Sequence, residues 1–357
     1  MNNPVFRSFS ILSLAFVLFS IPAQAEIIRG SGSTAAARLY QSWGEAFART
    51  GHQLQYEATG SSAGLKALLE GKVDFGATDV PLSEAQLRQD NLVQIPTAIT
   101  GIVPAINLPG VARGKLRLTG PVYAGMLAGQ IRKWDDEAIR KLNPGLSLPG
   151  EAIRVVARED GSGSTYVLSQ YLSEVSADWK SRFGTDYRLA WPEGTLKAKG
   201  SSGVAKLIGE TPFSIGYLES GSIDKAQLNH AQLANRAGQY LHPTPESFQA
   251  ALSSSNWTFQ GRFEESLSNL GDKAAWPITT GTFVIMKRTA QAPQRMALVL
   301  NFFSGAFMQA DKLVPQSGYV ALPIKTQARA VKSLASISEP SGVPMFFDVI
   351  WRVKGAS

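Results

Sequence analysis

The chain contains no cysteine. A disulfide framework, a thiolate nucleophile, a cysteine zinc site and a lipid-modified N-terminal cysteine are therefore all excluded. Histidine is almost as scarce, with three in 357 residues, and neither H-E-x-x-H nor a similar ligand spacing occurs. This argues against a metal-dependent phosphatase, and no cofactor is expected. None of the glycine turns reads G-x-x-x-x-G-K-[ST], so the phosphate-binding lysine of a nucleotidase P-loop is missing. There is no proline-rich or low-complexity linker, and no repeat with the period of a solenoid. Charged residues make up only 18% of the chain. The excess of 35 Lys and Arg over 28 Asp and Glu leaves +7, but the basic residues are scattered among acidic ones, as in residues 132–141. Without a dense basic run, nucleic acid is not an expected partner.

What is present suits a packed globular protein of two lobes, since 44% of the residues are hydrophobic. Residues 1–25 read as a secretory signal: Arg7, an apolar run over 9–21 broken by Ser10, Ser13 and Ser20, then Ala23-Gln24-Ala25. The run is too short for a membrane anchor, and no later stretch is long and apolar enough to span a bilayer. Cleavage after Ala25 would release a soluble protein, and export without cysteine suggests a bacterial periplasm. Further on, short runs rich in Ile, Val and Tyr alternate with segments of helical period, which predicts an α/β fold with mostly parallel strands. Strands are expected near 26–29, 54–57, 73–77, 102–107, 154–157, 214–218 and 282–286. A helix over 35–49 carries Leu39, Trp43 and Phe47 on one face, Ser83 with Gln86 forms a capping box, and a helix over 294–307 presents Val299, Phe302, Phe303 and Phe307 as a core stripe.

One pentapeptide occurs twice unchanged, as Gly30-Ser31-Gly32-Ser33-Thr34 and Gly161-Ser162-Gly163-Ser164-Thr165. Each copy follows a predicted strand and precedes a predicted helix. Gly60-Ser61-Ser62 and Gly200-Ser201-Ser202 share that context. A helix start leaves backbone N–H groups unpaired and carries partial positive charge, so it favours an anion. Any one such turn is explained by ordinary N-capping. Four in one chain point to a shared oxyanion. Beside the second copy, Arg158 could bind an oxyanion through its planar fork, with Asp160 holding the guanidinium in place. Asp79 ends a strand where an open α/β sheet places ligands. A carboxylate beside an anion is consistent only if the anion carries a proton, which phosphate and arsenate do and sulfate does not.

The main rival is a secreted hydrolase, because Gly60-Ser61-Ser62-Ala63-Gly64 matches the G-x-S-x-G nucleophile elbow with Ser62 as nucleophile. It needs a catalytic histidine, and His52, His230 and His242 stand in no matching motif.

In sequence the chain resembles the periplasmic phosphate-binding proteins that serve the phosphate-specific ABC importer. The blocks that carry the resemblance are Gly30 to Thr34, Thr59 to Ser62, Asp74 to Asp79, Pro81 to Ser83, Lys133 to Glu137, Leu142 to Gly145, Arg158 to Thr165, Ile215 to Tyr217 and Trp276 to Thr279, in the same order over nearly all of the mature chain. The resemblance implies a two-lobed periplasmic binding protein fold of mixed, mostly parallel sheets, with two hinge crossings. It implies one lobe of residues 26–98 plus 277–357 and another of 99–276. It further implies that Ser33, Thr34, Ala35, Ser61 and Asp79 meet phosphate from the first lobe. From the second come Arg158, Ser162, Gly163 and Ser164, with Asp160 orienting the arginine. Ala35 stands where the family usually has phenylalanine, and Ser164 where it usually has threonine. The implied partners are inorganic phosphate and inner-membrane permease and ATPase subunits. The implied molecule is a monomer and not an enzyme.

Overall fold

The computed structural model describes residues 26–308 and 310–345. The expected signal segment and its cleavage site after Ala25 lie outside the described residues, as does the end of the first expected lobe beyond Met345. The strands are β1 (Ile27–Gly32), β2 (Gln53–Glu57), β3 (Phe75–Thr78), β4 (Leu92–Asn107), β5 (Arg117–Leu118), β6 (Arg154–Arg158), β7 (Leu196–Ala198), β8 (Ser214–Glu219), β9 (Asn229–His230), β10 (Gln232–Ala234), β11 (Tyr240–Leu241) and β12 (Thr279–Lys287). The principal sheet runs β2-β1-β3-β12-β4-β8-β6-β7, with β9 on β4, and β11-β10-β5 form a small second sheet.

The expected parallel strands lie towards the two ends of this sheet, β2-β1-β3 in one lobe and β8-β6-β7 in the other. The middle is antiparallel, with β12 against β3 and β4, and β4 against β8. β4 pairs with β12 from Leu92 to Gly101 and with β8 from Ile102 to Asn107, so one strand serves both lobes. The return is tied to it: Ile102 N–H donates to Ile278 O at 2.8 Å, and Trp276 Nε1 donates to Ile102 O at 3.0 Å. The sequence reading starts this strand at 102, ten residues late. Pro96 opposes a central strand because it lacks a ladder donor. The structure places Pro96 beside a bulge at which Thr97 has no opposite residue, and the Thr97 hydroxyl donates to Thr282 O at 3.0 Å.

Helices cover both faces. The helix Ala37–Ala48 buries Leu39, Tyr40 and Trp43, while Phe47 is half-buried and stacks on His52 at 5.5 Å. All four residues of the later expected stripe, Val299, Phe302, Phe303 and Phe307, are buried on the helix Pro293–Met308. Phe303 meets Phe75 edge to face at 5.0 Å, beneath the turn that follows β1. Rings of this size contribute about 2–3 kcal/mol each on burial, which makes the turn's foundation stiff. Of the expected capping box only one bond forms, Gln86 N–H to Ser83 Oγ at 3.2 Å.

The helix Ser61–Leu69 lies on the backbone of β1. A Cβ on Gly64 would stand 2.3 Å from Gly32 Cα and 2.5 Å from Ser31 O. Gly64→Ala is expected to lower stability by roughly 2 kcal/mol or more, because neither backbone can yield without moving a strand or a helix. In urea unfolding the midpoint should fall with an unchanged slope.

Candidate functional site

All four glycine and serine turns open helices: Ala37–Ala48, Ser61–Leu69, Gly163–Val175 and Gly200–Glu210. The fold brings them together across the cleft. A Cβ on Gly60 would lie 2.7 Å from Gly161 O, and one on Gly163 would lie 2.6 Å from Ser61 Oγ and 2.8 Å from Asp79 Cβ. Thr34 Oγ1 is 3.0 Å from Ser201 Oγ. The lobes are closed on one another, and Ser33, Ser61, Asp79, Arg158, Ser162 and Ser164 are each 4% exposed or less. The starts of the helices Ser61–Leu69 and Gly163–Val175 face each other here, where their N–H groups concentrate positive potential, while the first N–H groups of Gly200–Glu210 are taken up by Asp160 and Thr34.

Arg158 ends β6 and is gripped by Asp160 two residues later, with Nε donating to Oδ1 at 2.8 Å and Nη2 to Oδ2. The turn between them is closed from the other side by Gly200 N–H, which donates to Asp160 Oδ1 at 3.0 Å. Burial opposes the guanidinium's charge, but the bonds and charge of Asp160 outweigh it and hold the pKa above the usual arginine value. Burial likewise opposes the Asp160 carboxylate, and Arg158 outweighs that, keeping it below the usual range. The pair stays ionised and leaves the guanidinium's remaining N–H groups for an anion.

Asp79 follows β3 and is pushed up to about 6, first by burial and further by the charge of Glu219, against the opposing bond from Ser33 and charge of Arg158. Ser33 Oγ lies 2.7 Å from both carboxylate oxygens and donates its single proton to them, so Ser33 enters the site as the partner of Asp79. Ser61 Oγ accepts Asp79 N–H at 3.4 Å and keeps its own proton. Ser162 accepts Thr165 N–H at 3.2 Å as helix cap and also keeps its proton. Ser164 Oγ is buried with no hydrogen-bond partner among the described residues. Ala35 is buried at the first turn.

Two residues at this site were absent from the expected set. Ser201 was noted only as part of a related turn, and Glu219 carried no sequence signal beyond its place at the end of β8. Both are 2% exposed and bonded to each other at 3.0 Å.

A sequence profile of the PBP superfamily domain matches residues 20–306. The phosphate-binding protein PstS of Pasteurella multocida is 37% identical over 314 residues, covering 88% of this chain and 91% of its own length. That of Xylella fastidiosa is 41% identical over 298 residues, covering 83% and 81%. The chain belongs to this family of phosphate-binding proteins. A solved phosphate-binding protein from Stenotrophomonas maltophilia shares the fold, with a TM-score of 0.70 and 21% identity over 90% of this chain and 99% of that one.

Family membership accords with what surrounds Ser62. This serine is exposed beside Gly161, and no histidine bonds it among the described residues. His52 stacks on Phe47, while His230 and His242 face each other at 6.0 Å near Gly114. The elbow pattern here opens the helix Ser61–Leu69.

Proposed function

We propose that this chain is a periplasmic receptor, not an enzyme, that captures inorganic phosphate between its lobes and delivers it to an ABC-type importer through inner-membrane permease and ATPase subunits. The observation that carries the reading is a buried carboxylate, Asp79, that shares the site with helix-start N–H groups, serine and threonine hydroxyls, and Arg158. Such a site fits an oxyanion that has one proton to give. Names borne by relatives, phosphate-binding proteins throughout, support the same ligand.

In this reading residues 26–98 and 277–357 form one lobe and 99–276 the other, hinged where β4 hands over from β12 to β8. Thr34, Ala35, Ser61 and Asp79, with Ser33 steering Asp79, bind from the first lobe. Arg158, Ser162, Gly163 and Ser164, with Asp160 bracing the arginine, bind from the second. Ligand touching both lobes favours the closed state by its differential affinity for it. The molecule acts as a monomer without cofactor, released into the periplasm after cleavage behind Ala25.

Calorimetric titration of dialysed mature protein tests this. One-to-one phosphate binding with no response to sulfate is expected; ligand-free protein that ignores phosphate would sink the reading. A second test uses the cleft itself. Gly163→Ala places a methyl group against Ser61 and Asp79 of the opposite lobe. Phosphate affinity should fall at least about tenfold, while the thermal midpoint without ligand changes little, because the methyl obstructs closure and not folding.

A further inference from the structure

Behind Thr34 runs a file of hydroxyls that ends on a buried carboxyl. Thr34 Oγ1 receives Ser201 N–H at 3.3 Å and lies 3.0 Å from Ser201 Oγ. Ser201 Oγ is 3.0 Å from Glu219 Oε2, and the Ser222 hydroxyl holds Glu219 Oε1. Each hydroxyl owns one proton, so the state of Glu219 biases the direction of the file. If Glu219 is ionised, Ser201 donates to it, and the Ser201 oxygen becomes an acceptor that competes with a ligand for the Thr34 O–H. If Glu219 is protonated, it donates to Ser201, Ser201 donates to Thr34, and the Thr34 proton is free to face the cleft.

Charge balance selects between them. Arg158 is neutralised by Asp160, so an ionised Asp79 and an ionised Glu219 would both stand uncompensated in a dry site that must also take an anion. The titratable groups facing Glu219 are Asp79, Arg158 and Tyr319. Burial raises the Glu219 pKa, against bonds from Ser222, its own backbone N–H and Ser201 and the charge of Arg158.

We propose that Glu219 is a positioning residue: it serves the bound state as a neutral acid and, through Ser201, turns the Thr34 hydroxyl toward the anion. This rests on the phosphate-receptor reading above. It also gives Ser201 a function in the second lobe that no capping role supplies, since its hydroxyl joins the lobes only when they are closed.

The test compares phosphate affinities of wild type, Glu219→Gln and Ser201→Ala between about pH 5.5 and about pH 8.5. Glutamine is a permanent donor of the same shape. The ratio of wild-type to Glu219→Gln dissociation constants should rise with pH to about fivefold or more, because only the wild type must take up a proton at this position as it binds. Calorimetry in buffers of different ionisation enthalpy should show correspondingly less proton uptake for the variant. In the Ser201→Ala background the gain from Glu219→Gln at high pH should shrink to what relief of charge repulsion alone supplies, since the file is already cut. A flat ratio, or a Glu219→Gln deficit that grows with pH, overturns the proposal. Failure of the wild type to bind phosphate overturns the receptor reading itself, whereas phosphate binding with a flat ratio removes the relay alone.

Discussion

Arg158→Ala is expected to weaken phosphate binding by about 3 kcal/mol, roughly a hundredfold in Kd. Two losses add. The anion loses its one cationic donor, and Asp160 is left ionised and largely buried, with its charge now uncompensated beside the ligand. The second loss can be separated from the first: the double variant Arg158→Ala, Asp160→Ala should recover part of the affinity, because it removes the stranded carboxylate. Arg158→Lys should fall well short of wild type, since an ammonium cannot grip Asp160 through two parallel N–H bonds and present further donors to an anion. Calorimetric titration reads all three. Near-normal affinity in Arg158→Ala would mean that phosphate is held elsewhere.

Asp79→Asn should change both selectivity and stability. The asparagine amide can donate where the carboxylate only accepts, so sulfate is no longer met by two opposed acceptors. Competition titrations should show sulfate displacing phosphate from the variant and not from wild type; unchanged rejection of sulfate would remove Asp79 from the filter. The stability effect has the opposite sign to that of most site substitutions. Asp79 has its pKa raised to about 6, so the folded protein binds its proton more tightly than the unfolded chain does. Ligand-free wild type therefore loses stability as pH rises from about 4 through about 6, by on the order of 2–3 kcal/mol, and the loss is complete above that range. Asparagine does not titrate. The variant should melt higher than wild type above about pH 6, with the gap closing towards about pH 4. A site that is costly when vacated by ligand is a common feature of binding clefts, where groups are arranged for a partner and not for one another.

Much of this site could be read from the chain because its parts are local. A glycine and serine turn, the strand before it and the helix after it are encoded within about fifteen residues, and the repeated pentapeptide pointed to a shared oxyanion. Asp79 and Arg158 stood out by their places at the ends of predicted strands beside these turns, and resemblance to a family then implied their ligand roles. Ser201 and Glu219 escaped because their significance depends on Thr34, 167 residues before Ser201 and in the other lobe. The first half of β4 escaped for a different reason. Pro96 and Gly101 disfavour a strand locally, and what overrides them is tertiary pairing with β12 and a bulge that needs no N–H from proline. The antiparallel middle of the sheet is equally non-local, being set by where the chain leaves and re-enters a lobe.

The passage of β4 through both lobes has a mechanical consequence. Its neighbour at the crossing is the returning segment that leads into β12, hydrogen-bonded to it from Thr279 opposite Gly101 to Ile278 opposite Ile102. Two paired extended segments form a ribbon that resists stretching and in-plane shear, since either would break its rungs, yet twists and flexes out of plane with all rungs intact. Opening is thus guided along one soft coordinate, like a door on a leaf spring. For the proposed receptor, this ribbon would hold the two lobes in register through each capture, so that a loaded molecule would differ from an unloaded one in outline.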